Sequence, residues 1–242
     1  LSALPRLLVT TLACAARLAM ADPGYYLLVP YDNEGLRTVE LRYWSVKLRQ
    51  WPEGTWPELG IGYGITSRWT STLLMSWVGS TQMATKPATL NWQNTVLLTQ
   101  GNWPVDVALH VQRIQPMQPG ENRALEVGLL VQGDIGRTQF NTNFIVERHL
   151  AGEPTPTALK LQWQLRHRSG PGLQFGVLGF DEVGPWRDWL PHTMQSHRAG
   201  PALFQSWHPG EGQTVKLQAA WLVGKIYGRT GHMFSTRLAV DF

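Results

Sequence analysis

Cysteine is nearly missing from the chain: Cys14 is the only one in 242 residues. A lone thiol closes no disulfide within the chain and builds no cysteine-ligated metal site. Charge is sparse as well, at 16% of residues, with 21 basic side chains against 17 acidic ones. No Lys/Arg cluster stands out, so the electrostatic footprint of a nucleic-acid binder is lacking. Beyond residue 21 no apolar run reaches the roughly 18 residues that a membrane-crossing helix needs. Helical periodicity is scarce throughout. A disulfide scaffold, a helical membrane protein and a nucleic-acid partner are thereby excluded.

What the chain does have begins at residues 1–21, LSALPRLLVTTLACAARLAMA. Arg6 gives a positive start, Leu7 to Ala16 a short apolar core, and Ala19-Met20-Ala21 a small-residue cleavage site. That is the anatomy of a secretory signal, and cleavage after Ala21 is expected. Removal of Arg6 and Arg17 would take the formal charge from +4 to +2 and remove the thiol.

Alternation with period 2 dominates the rest, the signature of strands with one apolar and one polar face. Leu59, Ile61, Tyr63 and Ile65 oppose Gly60, Gly62 and Gly64. Val105, Val107, Leu109 and Val111 oppose Asp106, Ala108, His110 and Gln112, while Leu159, Leu161, Trp163 and Leu165 oppose Lys160, Gln162, Gln164 and Arg166. The strands so read are about 10–13 residues long, beyond the usual 5–6 of soluble sheets and enough for a tilted membrane crossing.

The alternation places strands near 36–48, 57–66, 70–80, 88–100, 103–114, 122–132, 137–149, 157–168, 172–181, 197–206, 213–225 and 232–242. Links after odd-numbered strands read as mostly long, including Thr81 to Pro87 and Glu182 to Ser196. Links after even-numbered strands read as mostly tight, such as Ser67-Arg68-Trp69 and Gly101-Asn102. Long and short connections on opposite sides are the habit of membrane barrels. The expected fold is therefore all-β: a closed antiparallel meander transmembrane β-barrel over 36–242 of about 12 strands, ten or fourteen if one hairpin is misread. Residues 22–35 are expected as a periplasmic lead-in, with Tyr25 to Val29 plugging the lower rim.

The run Phe234-Ser235-Thr236-Arg237-Leu238-Ala239-Val240-Asp241-Phe242 puts Phe234, Leu238, Val240 and Phe242 on one face and ends on an aromatic ring. It resembles the C-terminal recognition strand of Gram-negative outer-membrane β-barrels. That resemblance implies an insertion signal read by the barrel insertion machinery, escort by periplasmic chaperones, and outer-membrane lipid around the wall. Gly179-Phe180-Asp181-Glu182-Val183-Gly184-Pro185 and His197-Arg198-Ala199-Gly200-Pro201-Ala202 are similar to a pattern of proteobacterial barrel proteins, which implies no particular substrate.

With the apolar parity toward lipid, the expected lumen lining is Glu40, Arg42, Asp106, His110, Glu126, Glu147, Lys160, Arg166, Lys216, Arg237 and Asp241, with a more basic wall from Lys160 onward. Such charges serve either a passive channel for small polar solutes or a structural barrel. A lipid-modifying hydrolase is the catalytic alternative, but no serine sits in a G-x-S-x-G elbow and only Glu147 and His149 form a local pair. No catalytic residue and no cofactor is expected. His192, Met194 and His197, in the long loop, are the candidate soft-metal set, and the same loop is where a partner would dock.

Overall fold

The computed structural model describes residues 26–30, 34–99, 101–150, 155–170, 172–226 and 228–242. Residues 1–21, where a signal is expected, with Cys14, and Tyr25 lie outside the described residues. The described chain contains no helix. Twelve strands follow in order: β1 (Arg37–Leu48), β2 (Gly54–Thr66), β3 (Trp69–Ser80), β4 (Met83–Leu97), β5 (Val105–Pro116), β6 (Ala124–Ile135), β7 (Thr138–His149), β8 (Ala158–His167), β9 (Leu173–Pro185), β10 (Ser196–Trp207), β11 (Thr214–Ile226) and β12 (Arg229–Asp241). Each pairs antiparallel with its neighbours in sequence, and β1 pairs with β12 to close the ring.

Closure matters because an open edge would leave a row of backbone N–H and C=O groups unsatisfied in hydrocarbon. At the seam Arg37 and Phe242 exchange both backbone hydrogen bonds at 2.9 Å, and pairing runs from Thr38 with Asp241 to Leu48 with Gly231. The Thr38 hydroxyl also donates to Asp241 Oδ1 at 2.8 Å. Both the start of β1 and the end of β12 lie at one end of the barrel, here the terminal end; the opposite one is the loop end.

Burial is inverted relative to a soluble protein. Leu41, Leu59, Ile61, Tyr63, Trp92, Leu129, Phe144, Leu165, Phe175, Trp221 and Val223 are all about half exposed or more, while Glu40, Arg42, Glu58, Asn91, His110 and Asn143 are buried. An apolar surface encircling a whole molecule far exceeds the patches that soluble monomers tolerate, and it suits lipid. Polar atoms on the outer wall satisfy one another: Trp69 Nε1 donates to Asn94, Trp92 Nε1 to Ser71 and Trp163 Nε1 to Asp181.

The links depart from the expected alternation. The β3–β4 link is only 81–82, because Ser80 Oγ accepts from the backbone N–H groups of Gln82 and Met83 at 3.1 and 3.0 Å and turns the chain at once. Pro87 lies within β4, opposite Trp77, where the register shifts; a proline that donates nothing is accommodated at such a bulge. β9 continues to Pro185 and the β11–β12 link shrinks to 227–228, whereas the terminal-end link between β4 and β5 spans 98–104.

Candidate functional site

The inner wall is divided. On the side of β4 to β8 it is a lattice of amides. Asn141 Nδ2 donates to Gln132 at 2.6 Å, Gln164 Nε2 to Asn141 at 3.3 Å and Asn143 Nδ2 to Gln162 at 2.9 Å, and Gln93 bonds Gln112. On the side of β9 to β12 and β1 it carries, beside charged pairs, an apolar cluster: Trp44, Val46, Leu178, Phe180, Ala202, Phe204, Ala220, Leu222, Ile226 and Met233 are buried together. Trp56 stacks on Trp44, with ring centroids 3.9 Å apart and planes within 6°.

Residues 26–30 cross between the two halves. Leu27 is buried in the apolar cluster, while Leu28 packs on Leu97, Ala108 and Leu130. The Leu28 carbonyl accepts from Asn143 Nδ2 at 3.0 Å, and the Tyr26 hydroxyl accepts from Gln93 Nε2 at 3.0 Å. The Arg42 guanidinium sits 3.5 Å above the centre of the Tyr26 ring. The segment thus fills the middle of the lumen, deeper than the rim where the sequence put it.

Inner charges are paired rather than displayed. Glu40 accepts from Arg42 Nη2 and from Arg237 Nε, each at 2.6 Å, and Glu58 lies 3.9 Å from Arg42 Nη1. Lys160 Nζ is held between Glu126, at 2.7 Å, and Glu147, at 2.5 Å. Lys216 meets Asp241 at 2.6 Å and Arg198 meets Glu182 at 2.6 Å. The basic wall expected from Lys160 onward is therefore largely neutralised by acids on neighbouring strands. His110 is fully buried, and neither ring nitrogen has a hydrogen-bond partner among the described residues. Asp106 ties down the adjoining link instead, accepting from Gly101 N at 3.0 Å.

Gly60 explains how Glu40 fits. A Cβ there would stand 2.8 Å from Leu74 Cδ2 and 2.9 Å from Glu40 Cγ, so the glycine leaves room for both. Glu58, Glu182 and Arg198 were not among the lumen-lining residues expected from the sequence. Glu58 shares the parity of Gly60, Gly62 and Gly64 and could have been found by extending that strand.

Below residues 26–30, toward the terminal end, lies a cavity of about 440 Å3 lined by Val29, Thr38, Glu40, Gln132, Gln139, Gln164, Arg166, Gln174, Phe204, Gln205, Lys216, Gln218, Arg237 and Asp241 among others. It reaches the mouth, where the Lys216 side chain is 56% exposed.

The loop set is arranged differently. The rings of His192 and His197 meet edge to face with centroids 5.1 Å apart, and Met194 is exposed. His197 is engaged on both nitrogens, Nδ1 with Asp181 Oδ1 and Nε2 with Gln195 Oε1, each at 2.7 Å. Among the described residues no three His, Cys, Asp or Glu side chains converge as metal ligands. His149 Nε2 lies 3.7 Å from Glu147, whose other oxygen is taken by Lys160. Leu238, in β12, and Phe242, directly after it, face outward.

No family model matches the chain, and no curated protein matches it. Solved structures do. An outer-membrane channel from Pseudomonas putida F1 superposes with a TM-score of 0.61 at 12% identity, over 92% of this chain and 100% of the other. The NanC porin gives 0.57 at 10% identity, over 84% and 98%, and the KdgM porin 0.55 at 8% identity, over 83% and 97%. At these identities the likeness is one of fold.

Proposed function

We propose that the protein is a Gram-negative outer-membrane barrel that acts as a passive conduit for small polar solutes, held closed by residues 26–30. The observation that carries the reading is the inverted wall: apolar outside all round, with buried amides and charges inside beside one apolar cluster, and a cavity entering from the terminal end. Lipid solvates the first surface, and only water or a polar solute suits the second. The fold shared with outer-membrane channels supports the same reading.

In this reading the terminal end faces the periplasm. Cleavage after Ala21 would start the mature chain four residues before Tyr26, and the β12 face that ends at Phe242 would be read on insertion. Withdrawal of residues 26–30 would leave an amphipathic passage, amides on one side and Leu178, Phe180 and Leu222 on the other.

Planar-bilayer conductance tests this. The mature chain should conduct poorly, and the chain lacking residues 22–33 should conduct well. A deletion variant that inserts yet stays electrically silent would replace the conduit with a closed structural barrel.

A further inference from the structure

The terminal-end cavity has an unbalanced charge. Arg237 is matched by Glu40 and Lys216 by Asp241. Arg166 has no acid within ion-pair distance among the described residues; its Nη2 donates to the Gln139 amide oxygen, and its Nε is buried without a hydrogen-bond partner. Its guanidinium is steadied by the ring of Phe204, 5.5 Å from Cζ. Across the sheet Arg166 pairs with Gly176, where a Cβ would stand 2.1 Å from the Leu165 carbonyl oxygen, so the glycine lets the two backbones approach closely. Gln174, the next inward position on β9, has a buried Oε1 that is likewise without a partner.

We infer that this cavity binds a small hydroxylated monocarboxylate, with Arg166 taking the carboxylate and Gln174 and neighbouring amides the hydroxyls. A guanidinium offers a planar fork of donors that matches a carboxylate in two bonds. One uncompensated cation calls for one negative charge. The carboxylate alone leaves Gln174 Oε1 unsatisfied, because that atom needs a donor, and a hydroxyl supplies one. Six glutamines line the cavity, each able to donate and accept, which suits a ligand bearing several hydroxyls. The volume, about 440 Å3, lies within the range of small-molecule sites.

This deepens the conduit reading by naming its solute class, but binding is measured without conduction. Isothermal titration of the detergent-solubilised mature chain would use gluconate, with glucitol (same carbons, no carboxylate) and acetate (carboxylate, no hydroxyl) as controls. Gluconate should bind at least about tenfold more tightly than either control. Arg166→Gln should weaken gluconate by about tenfold or more, with Arg166→Lys in between. Should Arg166→Gln fail to fold, Gln174→Leu decides: it should weaken gluconate and leave acetate unchanged. The inference falls if gluconate gives no heat up to about 10 mM, or if the folded Arg166→Gln or Gln174→Leu variant binds it as the wild type does. Acetate binding as tight as gluconate would overturn it too, leaving a plain anion site. Gluconate binding in a barrel that never conducts would sink the conduit and spare the site; conduction without gluconate binding would do the reverse.

Discussion

Glu40 and Arg237 stand 197 residues apart in sequence yet meet across the barrel seam, Arg237 Nε donating to Glu40 Oε2 at 2.6 Å. The other Glu40 oxygen accepts from Arg42, which also has Glu58 3.9 Å away, so one carboxylate bonds two guanidinium groups where the first strand joins the last. Removing one partner of a buried pair leaves an uncompensated charge, which costs about 3–5 kcal/mol. Glu40→Gln should lower stability by that order in urea unfolding from lipid vesicles. Arg237→Met should cost less, because that side chain is 27% exposed and water screens it. Equal losses would mean that the seam does not depend on Glu40's double role.

The two lysines once grouped as one basic wall should behave oppositely on charge reversal. Lys160→Glu puts a third carboxylate beside Glu126 and Glu147, and the folded, heat-modifiable gel band should be lost or strongly reduced. Lys216→Glu changes an exposed charge at the mouth; the barrel should fold, and any current through it should shift toward cations. A stable Lys160→Glu barrel would contradict the pairing described here.

Depth in the bilayer should grade substitutions on the outer wall. Leu129, in the middle of β6, is 47% exposed, while Ile135, at its terminal end, is 74% exposed. Leu129→Arg should cost about 2–4 kcal/mol in lipid vesicles and Ile135→Arg about 0–1 kcal/mol. Equal costs would argue that no hydrocarbon belt surrounds the wall.

Gly60→Val should destabilise by about 1–3 kcal/mol, because its Cβ meets Leu74 Cδ2 and Glu40 Cγ below 3 Å. Leu74→Ala in the same chain should recover part of the loss, as the flexible neighbour is shortened. Chemical unfolding of both variants decides it, and no recovery would point to the Glu40 side as the tight one.

The outer wall was legible residue by residue. Lipid demands an apolar surface and a strand alternates with period 2, so Leu159, Leu161, Trp163 and Leu165 declare their face without any knowledge of their neighbours. The same logic placed Glu40, Arg42 and Lys160 on the opposite parity. The Thr81–Pro87 link was misread because proline marks a break in isolation, whereas a register shift opposite Trp77 accommodates Pro87 within β4.

Sequence by itself determined which side chains face outward and that the chain holds about twelve long strands, since both follow from local periodicity. Only the tertiary structure decided what the interior does. Charge pairing depends on register between strands far apart in sequence, as for Glu40 and Arg237, and no local pattern encodes it. The apolar half of the lumen was hidden for a related reason: around Val177-Leu178 and Trp221-Leu222-Val223 both parities are apolar, so alternation loses its sign. Leu178 and Leu222 turn inward because the ring has a concave side to fill, and Leu27 completes that filling from outside the strands altogether.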